Sequence, residues 1–99
     1  MKLRWLNAAR ADLRDLHLYL LDRNPAAAQR IARSITQHVQ SLIEFPDRGR
    51  PSQIEGVREL VIARTPYIVI YSVDHAEDMI SVLRVLHGAR RWPDDLQPQ

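Results

Sequence analysis

The segment Arg58 to Pro93, RELVIARTPYIVIYSVDHAEDMISVLRVLHGARRWP, decides the fold. With Val57 ahead of it, it holds three runs, Val57 to Ala63, Tyr67 to Val73 and Met79 to His87. All three are rich in the β-branched, aliphatic and aromatic residues that suit a pleated, half-buried surface. Thr65-Pro66 bends the chain between the first two runs. Asp74-His75-Ala76-Glu77-Asp78 is a polar turn between the second and third, so the last two runs are predicted to pair as a hairpin. Gly88 then stops the last run, and the segment closes on Ala89-Arg90-Arg91-Trp92-Pro93.

Upstream the period changes from two to that of a helix. Ala9, Leu13, Leu16 and Leu20 make one apolar stripe over Ala8 to Arg23, with Asn7 as the expected N-cap. Asn24-Pro25 interrupts it, because proline disfavours helix in the residue before it yet suits a first helical position. From Pro25 a second stripe, Ala28, Ile31, Ala32, Ile35, Val39, Leu42 and Ile43, runs down to Phe45. So short a link predicts an antiparallel helical hairpin. Lys2 to Leu6 is a short extended run, and Pro46 to Gly56 is a loop, dense in proline, glycine and polar residues. The expected architecture is α+β, in the order β-α-α-β-β-β. A helical hairpin would pack on one face of a small, mostly antiparallel sheet and leave the other face for partners.

With 99 residues the chain has room for one domain, read as 1–93, followed by a polar, flexible tail at 94–99. Without cysteine there is no disulfide, and no metal or cofactor motif is present; the acidic turn has no metal-ligand spacing. The opening residues lack the apolar core of a secretory signal, and no apolar run nears the roughly 18 residues of a membrane span. A cytoplasmic protein without membrane contact is expected. Of the 14 basic residues only Lys2 is lysine. Arginine forks match phosphate and carboxylate, which fits a nucleic-acid or acidic-peptide partner; arginine-favouring codons in a GC-rich genome give the same bias.

Alternation along the strands groups Arg58, Leu60, Ile62 and Arg64 on one side. If Leu83 and Val85 are buried, Arg84 faces outward and joins Arg58 or Arg64 on an open basic face, while His87 points toward the core. Tyr67 and Tyr71 share a side of the central strand and read as core-edge residues with hydroxyls at a wet boundary. His87, Arg64 and Arg90 together could supply acid–base and phosphate-stabilising groups for RNA cleavage. The structural reading of the same residues is a strand end, a packed Trp92 and arginines paired with carboxylates.

Taken in order, several pieces resemble the ParE/RelE superfamily of toxins from type II toxin–antitoxin systems, on its ParE-like branch. They are Ala9-x-x-Asp12-Leu13, Asn24-Pro25-x-Ala27-Ala28, Leu42 with Phe45-Pro46, Gly49-Arg50, Gly56-Val57-Arg58-Glu59-Leu60, Pro66-Tyr67-Ile68-Val69-Ile70-Tyr71 and Val85-Leu86-His87-Gly88-Ala89-Arg90. The resemblance implies a toxin that poisons DNA gyrase without catalytic chemistry of its own. It also implies a ParD-like antitoxin whose C-terminal segment wraps the toxin. Arg58, Arg64, Arg84, Arg90 and Arg91 are the candidates for binding antitoxin or target. The alternatives are a ribosome-dependent mRNA endoribonuclease using His87, Arg64 and Arg90, and a non-toxic antitoxin-binding module. The absence of a tyrosine after the last strand and the near absence of lysine depart from the ribonuclease pattern.

Overall fold

The computed structural model describes residues 1–88 together with Trp92, Pro93 and Leu96. Seven elements follow in order: β1 (Lys2–Trp5), α1 (Asn7–Arg23), α2 (Pro25–Ser41), β2 (Arg50–Pro51), β3 (Val57–Val61), β4 (Tyr67–Asp74) and β5 (Met79–His87). The strands form one sheet in the order β1-β5-β4-β3-β2. Only β1, which lies beside β5, pairs in parallel; the other neighbours are antiparallel. The two-residue β2 adds a strand to the expected order, paired through Arg50 with Glu59 and Pro51 with Arg58.

The helical hairpin forms for local reasons. Asn24 serves both helices: its backbone N–H closes α1 on the Leu20 carbonyl at 2.6 Å. Its side chain accepts from the Ala27 N–H at 3.2 Å, with Pro25 opening α2. At the start of α1 Asn7 is already helical and Leu6 holds the cap position without a side-chain bond, so the expected Asn7 cap is corrected by one residue. The second helix also stops at Ser41, short of Phe45. There the Ser41 carbonyl accepts from both Glu44 and Phe45, so the chain tightens into turns that still bury Leu42 fully.

The main core lies between the hairpin and the sheet. Leu16, Ile31, Ile35, Val39 and Leu42 meet Leu60, Ile62, Val69, Tyr71, Val82 and Val85. Each such side chain contributes about 1.5–3 kcal/mol on burial. The opposite face was expected to be open, yet Ile68, Ile70 and Leu86 are buried there. Val57, Leu83, Trp92 and Leu96 pack against them as a second, smaller cluster. Leu96 belongs to the 94–99 stretch that was read as a tail.

Strand β5 is irregular. Ile70 lies opposite Arg84 and Tyr71 opposite Val82, so the register passes over Leu83. Val82 and Val85 therefore both join the main core although they stand three positions apart, and Leu83 packs on the other face. The expected burial of Leu83 beside Val85 is corrected by this bulge.

Candidate functional site

The two ends of β4 present different chemistry on the face beneath the helices. Tyr71 lies toward one end and is fully buried, so it is core and not core edge as expected. Its hydroxyl donates to the Pro46 carbonyl at 2.7 Å and accepts from the Gly49 N–H at 2.8 Å. Arg58 adds to the same loop, donating to the Gly49 carbonyl at 2.6 Å and pairing with Asp47 at 3.6 Å. Gly49 has no room for a side chain: a Cβ there would lie 2.7 Å from the Glu59 carbonyl oxygen and from the Tyr71 ring and hydroxyl. Burial raises the Tyr71 pKa from its usual 10.0, opposed by the Gly49 hydrogen bond and the nearby Arg58. This end of the sheet is sealed by its own loop.

At the other end β5 is tied to α1. The Arg84 guanidinium grips Asp12 with two hydrogen bonds of 2.7 and 3.0 Å, and the Val85 N–H donates to the same carboxylate at 2.9 Å. Both side chains are mostly shielded, at 21% and 16% exposure, which makes this the least exposed ion pair between side chains among the described residues. Arg84 therefore points under the helix and holds it to the sheet. The open basic face expected for Arg84 with Arg58 does not form, because each arginine is anchored to a different element.

Beside this pair lies a cleft of about 640 Å³, lined by Asp12, Asp15, Leu16, Tyr19, Tyr67, Val85 and His87. His87 is exposed at its rim, where alternation had turned it toward the core. Its ring meets Tyr67 edge to face, with centroids 5.9 Å apart. Burial raises the Tyr67 pKa, and the neighbouring Tyr19 raises it further, so this phenol stays a neutral donor at physiological pH. Arg64 sits in the β3–β4 turn, exposed, with a left-handed φ of 64°. Among the described residues it has no ion pair. Arg90 and Arg91 lie outside the described residues.

The cleft thus gathers His87 and Tyr67 with four residues of α1 that had no functional reading in the sequence. Asp12, Asp15, Leu16 and Tyr19 fall at helical spacing, so a polar and aromatic stripe beside the apolar one was the available signal. Among the described residues no group of three His, Cys, Asp or Glu is arranged to hold a metal ion. Nor is any helix among them long and apolar enough to cross a membrane.

This geometry can be set beside known proteins. Residues 3–92 match the sequence model of the ParE toxin of type II toxin–antitoxin systems, the parDE pair. The chain belongs to the ParE toxin family. Its helical hairpin over a five-stranded mixed sheet also matches a solved structure, the chromosomal ParDE system of P. aeruginosa, with a TM-score of 0.76 and 29% identity. That match covers 88% of this chain and 95% of the other. "Putative toxin Y4kP" of Sinorhizobium fredii is 35% identical over 95 residues, covering 96% of each chain. "Toxin RelE2" of Caulobacter vibrioides is 37% identical over 86 residues, covering 87% of this chain and 93% of its own. This ParE-family protein is a toxin of the type II toxin–antitoxin class.

Proposed function

We propose that this ParE-family toxin arrests growth by binding DNA gyrase in the cytoplasm, without cutting RNA, and that a ParD-like antitoxin neutralises it. The observation that carries the choice between binding and cleavage is the lining of the His87 cleft. A ribonuclease site must place cations against a phosphate whose negative charge grows in the transition state. Around His87 the described lining is two carboxylates, two tyrosines and aliphatic groups. Among the described residues, Arg84 on the same strand is already engaged with Asp12. None of the described lining residues is an arginine or lysine that could neutralise an entering phosphate.

Gyrase is proposed as the target because the ParE-like resemblance of the sequence implies it, and the family match and the similarity to a ParDE structure support an antitoxin partner. Among the candidate contact arginines, Arg58 and Arg84 hold the fold. Arg64, exposed on its turn, is the best placed of the described candidates to reach acidic residues of the antitoxin or the target.

The test is induced expression without antitoxin, for wild type and for His87→Ala with Arg90→Ala. Growth, DNA-damage response and transcript 5′ ends would be scored, alongside a supercoiling assay with purified gyrase. Arrest with DNA damage, intact transcripts and inhibited supercoiling is expected. New transcript ends that vanish in the double variant would replace this reading with a ribosome-dependent nuclease. No arrest from soluble wild-type protein would leave a non-toxic antitoxin-binding module.

A further inference from the structure

We infer that the cleft between α1 and the ends of β4 and β5 is a docking site for an arginine side chain presented by a partner protein. Three observations converge on that chemistry. The cleft offers the Asp15 carboxylate beside the rings of Tyr19, Tyr67 and His87, a combination that suits a flat cation, while the Asp12 carboxylate is already held by Arg84 and the Val85 N–H. Its walls already hold guanidinium groups in both available modes. Arg23 lies 3.6 Å over the Tyr19 ring, and Arg84 grips Asp12 through paired hydrogen bonds. Finally, the second carboxylate is only loosely held: Asp15 meets Arg14 at 3.5 Å, with the two side chains 70% and 69% exposed. So exposed a pair contributes little and is readily exchanged for an incoming guanidinium seated between Asp15 and the aromatic rim.

Arginine is favoured over lysine because only a planar fork can stack on a ring and bridge a carboxylate at once. The inference does not rest on the gyrase reading, since it concerns the isolated toxin, and it carries no catalytic step. It also reverses the polarity expected from the arginine count alone: at this cleft the partner supplies the cation.

The test is an NMR titration of the full chain, made by cell-free synthesis. The probe is the capped tripeptide acetyl-Ala-Arg-Ala-amide, with the isosteric neutral citrulline peptide and the dinucleotide GpA as controls. The expected result is saturable, weak binding of the arginine peptide that shifts the signals of Tyr19, Tyr67 and His87. The citrulline peptide should bind at least about threefold more weakly. Asp15→Asn should reduce arginine-peptide affinity about threefold, whereas Glu77→Gln, in the hairpin turn at the far end of β5, should leave it unchanged. Equal binding of the arginine and citrulline peptides would overturn the proposal. So would wild-type affinity in Asp15→Asn, an absence of shifts at the three rings, or binding of GpA in preference to arginine. That last outcome would make the cleft a nucleobase site.

Discussion

Tyr71 and Tyr67 sit four residues apart on one face of β4, yet they end in opposite circumstances. Tyr71 is roofed by the loop at 46–49, and both its hydroxyl partners are backbone groups of that loop. Tyr67 meets no such roof among the described residues; its ring faces His87 and the open cleft below α1. One end of the central strand is spent on closing the fold and the other is left for contact. The difference lies in what the chain lays above each ring, and that is set by Gly49 and Arg58 at one end and by Asp12 with Arg84 at the other.

The contrast predicts a graded response to substitution. Gly49→Ala should be the most damaging, costing about 3 kcal/mol in chemical denaturation, because its Cβ has no space between the Glu59 carbonyl and Tyr71. Near-wild-type stability would mean that the loop is looser than described and the sealed end is not sealed. Arg84→Leu should cost about 2 kcal/mol, since it strands the shielded Asp12 carboxylate with only the Val85 N–H. Arg84→Leu paired with Asp12→Leu should recover part of that loss, a double-mutant cycle that isolates the pair.

Tyr71→Phe should cost about 1.5 kcal/mol by leaving the Gly49 N–H and the Pro46 carbonyl without the hydroxyl. It should also change the pH profile. The folded-state pKa of Tyr71 is raised above 10.0, so above that pH the unfolded chain gives up its proton first. Stability is therefore complete below about pH 10 and falls as pH rises from there toward the folded pKa. Denaturation followed from pH 8 to 11 should show a shallower decline in Tyr71→Phe than in wild type. At the open end, His87→Ala and Tyr67→Phe should each change stability by less than about 0.5 kcal/mol, as exposed or rim positions do. A loss there as large as at Tyr71 would erase the distinction between the two ends.

Much of this architecture is written locally. The stripe through Ile31, Ile35 and Val39, with Asn24-Pro25 ahead of it, needs nothing beyond helical period and proline geometry to be read. The three long strands are marked by their β-branched runs and by Pro66 and the acidic turn between them. What escaped reading depends on partners far along the chain. The two-residue β2 exists only because β3 is beside it. The bulge at Leu83 moves Arg84 beneath a helix whose Asp12 lies 72 residues earlier, so strict alternation sent the arginine to the wrong place. Asp12 stood in the sequence as part of a family motif without a task; its task is to accept three hydrogen bonds from β5.

The position of β5 also has a consequence for synthesis. Among the described strands it is the last in chain order, yet it lies inside the sheet, between β1 and β4. Lys2 to Trp5 pair with Met79 to Val82, and α1 waits for Arg84. A chain still emerging from the ribosome can pack α1 on α2, but β1 lacks its neighbouring strand and α1 lacks its Arg84 anchor until β5 leaves the exit tunnel. Such long-range closure is slow compared with local helix formation. A toxin translated only as far as β4 is thus an incomplete sheet without the β5 wall of the cleft, and binding at that site must wait for Val85 and His87.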